Sequence, residues 1–283
     1  MLAHLTTTTV LVAALMAADA AAQPIERRGC AKPLKSRGAS SKRGFSWPGQ
    51  EGQQGHFAGQ LTQDGTMTWF WNWGLWKTDI PQAPEWNGEH LNELDGNSPR
   101  MIFGFNEPDH TAVGLSANMG VDDAVWAWKE AKRKCPNSKW GSPALSGPHH
   151  IDWLKRFFDG ICPGGLDGCS DAPDYINFHT YQSDIQKLKN DVNTMKQFGR
   201  PLILSEFACH DFSDAHQECT DVMQYAREAF DFLDNDDMIY RYSWFGAMAD
   251  ANHLGGVSRV NMLIEDGGNG LTPLGRLYLG QIE

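Results

Sequence analysis

Two glutamates each close an apolar run. In MIFGFNEPD, Glu107 follows the run 101–105, and in PLILSEFAC, Glu206 follows 202–204. A buried parallel strand that stops at a Glu carries the carboxyl at its C-terminal end, where α/β barrels build their sites. The two lie 99 positions apart, so the fold has to bring them together. Paired carboxyls suit cleavage of a glycosidic bond: one protonates the leaving oxygen, and the other attacks the anomeric carbon or activates water. The roles split by environment, with the acid/base among apolar groups and the nucleophile kept ionised by hydrogen bonds. Pro108 restricts Glu107, because proline disfavours αR backbone at the residue before it. Asn106 sits beside Glu107, where it can bond a substrate hydroxyl. A lone Glu at a strand end is more often a surface or ion-pair residue. Two of them, one inside Asn-Glu-Pro, favour catalysis.

Around this pair the sequence offers a polar and aromatic set at other strand ends. INFHTY supplies His179 and Tyr181, RYSWFG ends on Trp244, and Trp47 follows the first strand. TWFWNWG supplies Trp69, Trp71, Asn72 and Trp73, and alternation puts Trp71 and Trp73 on one face. A sugar ring presents flat C–H faces edged with hydroxyls, which an indole matches with its apolar face and single N–H. The chain has eleven Trp, and about half are expected in the core by ordinary burial of large aromatics. Other chemistries are poorly served. His149-His150, His179 and His210-Asp211 do not make a ligand-spaced metal cluster, and neither GxSxG nor a P-loop occurs. No metal or cofactor is expected.

Beyond residue 43, short apolar runs alternate with longer amphipathic ones, a βαβα rhythm. Strands are expected at 44–47, 67–71, 80–86, 101–105, 139–142, 175–178, 202–204 and 239–244. Helices are expected at 122–135, 151–161, 185–198, 218–233 and 273–282. Asp122 and Asp123 open the first of these and Lys and Arg close it, as the helix dipole favours. Eight strands in this span point to a single α/β domain, a (β/α)8 TIM barrel over 44–283. An open doubly wound sheet would want a Gly-rich phosphate loop after its first strand. GFSWPGQEGQQG lacks GxGxxG.

The net charge is −11, and it is uneven: 44–283 carries 17 basic and 33 acidic residues. Such a body repels nucleic acid and anionic membranes and leaves a neutral polymer as the natural partner, with the protein acting as a monomer. Residues 1–22 read as a secretory signal peptide, with an apolar stretch over 10–18 and Ala20-Ala21-Ala22 before Gln23, although a basic n-region is missing. Residues 23–43 read as a basic pro-segment or linker with dibasic pairs Arg27-Arg28 and Lys42-Arg43. Six Cys in a secreted chain suggest three disulfides. Cys162 and Cys169 enclose one short loop, Cys209 and Cys219 another, which leaves Cys30 for Cys135.

Taken together, KRGFSW, WFWNWG, GFNEPD, INFHTY, LILSEFAC and YSWFGAM resemble glycoside hydrolase family 128, from about Arg43 to Glu283. That family includes secreted fungal endo-β-1,3-glucanases and belongs to the clan A retaining hydrolases. The resemblance implies a compact (β/α)8 barrel and double displacement, with Glu107 as general acid/base and Glu206 as nucleophile. It implies β-1,3-glucan of fungal cell walls as substrate. The family's third strand usually resembles VPMLWG, whereas this chain has IPQAPEWNG with Gln82 and Glu85, so the subsite there is expected to differ. Two alternatives are another clan A activity (mannanase or cellulase) and a non-catalytic glucan-binding wall protein.

Overall fold

The computed structural model describes residues 42–48, 55–63, 67, 69–74, 85–88, 101–112, 114–213 and 219–282. The expected signal peptide, nearly all of the basic segment, Cys30 and Gln82 lie outside the described residues. Eight parallel strands run in the order β5-β4-β3-β2-β1-β8-β7-β6. They are β1 Arg43–Ser46, β2 Trp69–Asn72, β3 Glu85–Gly88, β4 Met101–Ile102, β5 Lys139–Trp140, β6 Ile176–Tyr181, β7 Leu202–Ala208 and β8 Ile239–Trp244. All eight expected strands have counterparts, with β3 at the late end of its expected range. β1 and β8 pair directly, as Phe45 with Trp244. The remaining gap, between β5 and β6, is bridged just past the short β5: Gly141 pairs with Tyr175 and Leu145 with Phe178. Ser142 N–H donates to Tyr175 O at 2.9 Å and His179 N–H to Leu145 O at 3.0 Å across this seam. The sheet therefore closes on itself as a barrel.

Side-chain alternation divides the interior from the outer core. Gly44, Trp69, Trp71, Met101, Phe103 and Ile203 face inward, where an added Cβ on Gly44 would lie 2.2 Å from the Trp69 ring. Only a glycine leaves room there for that indole. Phe45, Phe70, Phe178, Leu204, Tyr242 and Trp244 face outward into one large cluster with the helices. Those helices are α1 Gly55–Thr62, α2 Val121–Lys134, α3 Ile151–Ile161, α4 Ile185–Met195, α5 Val222–Asn235 and α6 Pro273–Tyr278. The caps are legible in the residues. Asp184, Asp221 and Thr272 each accept a first-turn N–H, and Pro273 occupies the first turn of α6, where its missing donor costs nothing. Helix α1 was not expected, because GHFAGQLT is short and carries two helix-weakening glycines.

Two disulfides close local loops, Cys162–Cys169 with Cα atoms 5.9 Å apart and Cys209–Cys219 with 5.6 Å. Both are the expected pairs. Cys135 is also disulfide-bonded. The dibasic pair Lys42-Arg43 is built into the barrel foot. Lys42 Nζ donates to the carbonyls of Asp234 and Asp236, both at 2.8 Å. Arg43 donates to Tyr242 Oη and to Tyr278 O, also at 2.8 Å. Among the described residues, no helix is long and apolar enough to cross a membrane.

Candidate active site

Glu206 reaches the barrel mouth through an irregularity in β7. Along that strand Ile203 faces inward and Leu204 outward, so strict alternation would turn Glu206 outward and Phe207 inward. Instead the register slips. Leu204 pairs with Tyr242 and Phe207 with Trp244, so Ser205 and Glu206 together stand opposite Ser243 alone. Such a bulge at a barrel rim re-aims a side chain. Here Phe207 stays in the outer core, and both Ser205 and Glu206 turn into the site.

Glu107 is held differently. It lies beyond β4, and its φ of 45° is in the left-handed region that a side chain seldom adopts. Proline at the next position excludes αR, as expected, and the residue takes the left-handed basin rather than an extended one. Its N–H donates to Ala144 O at 2.8 Å, and its carbonyl accepts from His110 N–H at 3.1 Å. Next to it, Asp109 accepts from Ser146 N–H at 3.1 Å and Ser146 Oγ at 2.6 Å, and its Oδ2 lies 2.6 Å from His150 Nδ1. These bonds tie the Glu107 loop to the segment leaving β5.

The two carboxylates meet around His179, which is fully buried. Its Nδ1 lies 3.0 Å from Glu107 Oε1, and its Nε2 lies 3.0 Å from Ser205 Oγ and 3.5 Å from Glu206 Oε1. Tyr181 Oη donates to Glu206 Oε2 at 2.6 Å and Trp73 Nε1 to Glu206 Oε1 at 3.0 Å. One oxygen of Glu107, one oxygen of Glu206 and one nitrogen of His179 all lie within 4.8 Å of one another. Three such atoms could reach a metal ion, a grouping that sequence spacing did not reveal. The same groups also lie within hydrogen-bonding reach of Tyr181, Trp73 and Ser205.

Electrostatics follow from burial. Desolvation pushes the Glu206 carboxyl above its ordinary range. The His179 imidazole opposes this, Glu107 reinforces it, and the Tyr181 and Trp73 hydrogen bonds oppose it. Burial alone would lower the His179 imidazole, but Glu206 and Glu107 outweigh it and the net direction is up. The Tyr181 hydroxyl is pushed well up by burial and by Glu206, and so stays a donor.

The expected aromatic residues divide. Trp73 is half-buried and donates to Glu206, with its ring 4.5 Å from Trp71. Trp71 is fully buried, forming the floor beneath Trp73 rather than a sugar platform. Trp47 and Trp244 are corrections. Both have outward parity, like Phe45 and Tyr242, and both lie in the outer core, 1% and 0% exposed. Trp244 spends its indole N–H on Asn261 O at 2.9 Å. His179 is also recast: both its ring nitrogens serve protein groups, leaving neither for substrate. Asn106 gives its Nδ2 to Leu115 O at 2.8 Å and anchors the loop. Sequence reasoning missed Asp109, Phe245 and Phe212. Asp109 was visible inside NEPD, and Phe245 directly follows Trp244 at the end of β8, with its ring 6.1 Å from Trp73 and 5.8 Å from Tyr181.

This geometry has close relatives. The family described as glycosyl hydrolase catalytic core matches residues 44–278. Alkali-sensitive linkage protein 1 of Schizosaccharomyces pombe is 31% identical over 257 residues, which span 85% of this chain but only 44% of that longer protein. Among solved structures, a family 128 subgroup V exo-β-1,3-glucanase from Cryptococcus neoformans superposes with a TM-score of 0.72 at 26% identity, covering 84% of this chain and 98% of the other. A subgroup VII oligosaccharide-binding protein from Trichoderma gamsii shares the fold at TM-score 0.65 and 21% identity, covering 89% and 96%. A closed eight-stranded barrel, a profile match over nearly all of it and these neighbours bear out the motif resemblance, and the chain belongs to the glycosyl hydrolase catalytic core family as a member of glycoside hydrolase family 128.

Proposed function

We propose that this protein is a secreted retaining β-1,3-glucanase of fungal cell walls, working as a monomer with Glu206 as nucleophile and Glu107 as general acid/base. The observation that carries the reading is the carboxylate spacing: an oxygen of each within 4.8 Å, with Tyr181 and Trp73 both donating to Glu206. Retaining enzymes keep the two carboxyls ~5–5.5 Å apart, whereas inverting ones leave ~6.5–9.5 Å for a water. The glucan specificity is supported by what the Cryptococcus relative is named to cleave. Secretion is supported by two local disulfides, which persist in oxidising compartments.

In the first step a Glu206 oxygen bonds to the anomeric carbon while Glu107 gives its proton to the departing oxygen. In the second, Glu107 takes a proton from water, whose oxygen attacks the same carbon and frees Glu206. Tyr181 and Trp73 fix the attacking carboxylate, and His179 spans both groups, fixing their relative orientation. Endo action is the reading taken from the motif resemblance, and the lengths of the released oligosaccharides decide it.

The test is reducing-sugar release from linear β-1,3-glucan, mannan and cellulose by wild type, Glu107→Ala and Glu206→Gln. Release from the β-1,3-glucan alone, lost in both variants while Glu206→Gln still binds the polymer, is the expected outcome. NMR of the first product should show the β-anomer. Binding without release by the wild type would instead support an oligosaccharide-binding role, and turnover surviving in Glu206→Gln would remove that residue from the mechanism.

A further inference from the structure

Phe212 is half exposed, at 50%. It lies in the loop after β7 that Cys209–Cys219 closes. Its ring packs against two others. Tyr181 and His210 both lie T-shaped to it, with centroids 5.1 Å and 4.2 Å away. On a third side stands Gly256, with φ of +96°, where an added Cβ would come to 3.4 Å from the Phe212 ring. The loop root is pinned as well: Cys209 N–H donates to Asn261 Oδ1 at 2.9 Å, and Asn261 Nδ2 donates to Cys209 O at 3.0 Å. An apolar ring held on three sides and left open to water is arranged to meet something flat and apolar.

The neighbouring chemistry says what. Tyr181, against which Phe212 packs, donates to the nucleophile Glu206. Phe212 is therefore one ring contact away from the side chain that holds Glu206. A neutral hexopyranose has C–H faces that cover such a ring without demanding charge or a buried hydrogen bond. We propose that Phe212 is a specificity-determining residue that stacks on a glucosyl unit of the glucan bound beside Glu206, and that the Cys209–Cys219 loop exists to present it. This rests on the β-1,3-glucan reading above and adds a subsite to it.

The experiment measures binding apart from turnover. A linear β-1,3-linked glucose hexamer is titrated by calorimetry into Glu206→Gln and into the same protein carrying Phe212→Ala, Phe212→Leu, Phe212→Tyr or Phe212→Trp. Trp126→Ala, which removes an aromatic exposed by 70% on α2, serves as the control. Phe212→Ala and Phe212→Leu should each weaken binding roughly tenfold, the scale of one good aromatic contact. Tyr and Trp should restore it, and Trp126→Ala should leave it unchanged. Phe212→Leu keeps apolar bulk, so a melting temperature equal to the parent's, together with lost affinity, separates stacking from folding. In the otherwise wild-type enzyme, Phe212→Ala should raise KM and leave kcat nearly constant. Equal affinity across all the Phe212 variants overturns the proposal while the glucanase reading stands. Failure of the Glu206→Gln parent to bind the hexamer, together with no release of sugar from it by the wild type, overturns both.

Discussion

Tyr181 gives the clearest handle on Glu206. Its hydroxyl lowers the Glu206 carboxyl against the upward push of burial. On the proposed mechanism Glu206 attacks as the ionised carboxylate, so the acid limb of kcat/KM should lie above the ordinary carboxylate range, and losing a donor should move it higher. Tyr181→Phe should therefore shift that limb upward and cut the rate roughly 10–100-fold, the equivalent of ~1.5–3 kcal/mol for a hydrogen bond to a charged group. A pH–rate profile reads both effects at once. Glu107 invites a different comparison, because its left-handed φ of 45° costs a side-chain-bearing residue about 1–3 kcal/mol. Both Glu107→Ala and Glu107→Gly remove the carboxyl, but only glycine relaxes the backbone. Thermal melts should place the glycine variant at or above the alanine one, although glycine is normally the less stable choice. Both glutamates were legible in the sequence because each ended an apolar run. The job of His179 was not: its partners Glu107 and Ser205 lie 72 and 26 positions away, and only the barrel register makes them neighbours.

Among the elements, the informative failures are parity errors. Trp47 and Trp244 were read as sugar platforms from their place at strand ends, yet alternation along β1 and β8 turns them under the helices. A strand end does not by itself say which way a side chain leaves the sheet. Trp244→Ala should accordingly act on stability, losing ~3–5 kcal/mol as for other large buried aromatics, with KM of any folded fraction unchanged. Chemical denaturation beside steady-state kinetics distinguishes this from a binding role. The reverse case is β7, where an extra residue breaks alternation so that Ser205 and Glu206 both face the site. Periodicity in LILSEFA contains no sign of that slip, which appears only in the pairing of β7 with β6 and β8. Phe212 escaped notice for a related reason. It stands past the strand among polar residues, and only the loop closed by the disulfide brings it to Tyr181.

At the scale of the whole molecule, the rhythm of apolar and amphipathic runs was enough for the barrel, since eight strand positions and their order follow from it. The closing seam was not legible, because β5 is two residues long and meets β6 through isolated bridges rather than a ladder. That seam has a mechanical meaning. Glu107 stands on the β4–β5 bank and Glu206 on the β6–β7 bank, so the barrel is a split ring with its two jaws at the gap. Across that gap run His179 N–H to Leu145 O, Ser142 N–H to Tyr175 O and the His179–Glu107 contact. Any opening of the ring widens the jaws first, and a widening of a few ångströms would carry the carboxylates out of the retaining range. Amide exchange should therefore be faster at His179 and Ser142 than at Leu204 in the middle of the sheet. A bound oligosaccharide, gripped by both jaws, should slow the first two most. The stereochemistry of the product would then depend on the stiffness of the ring as much as on the chemistry of the two acids.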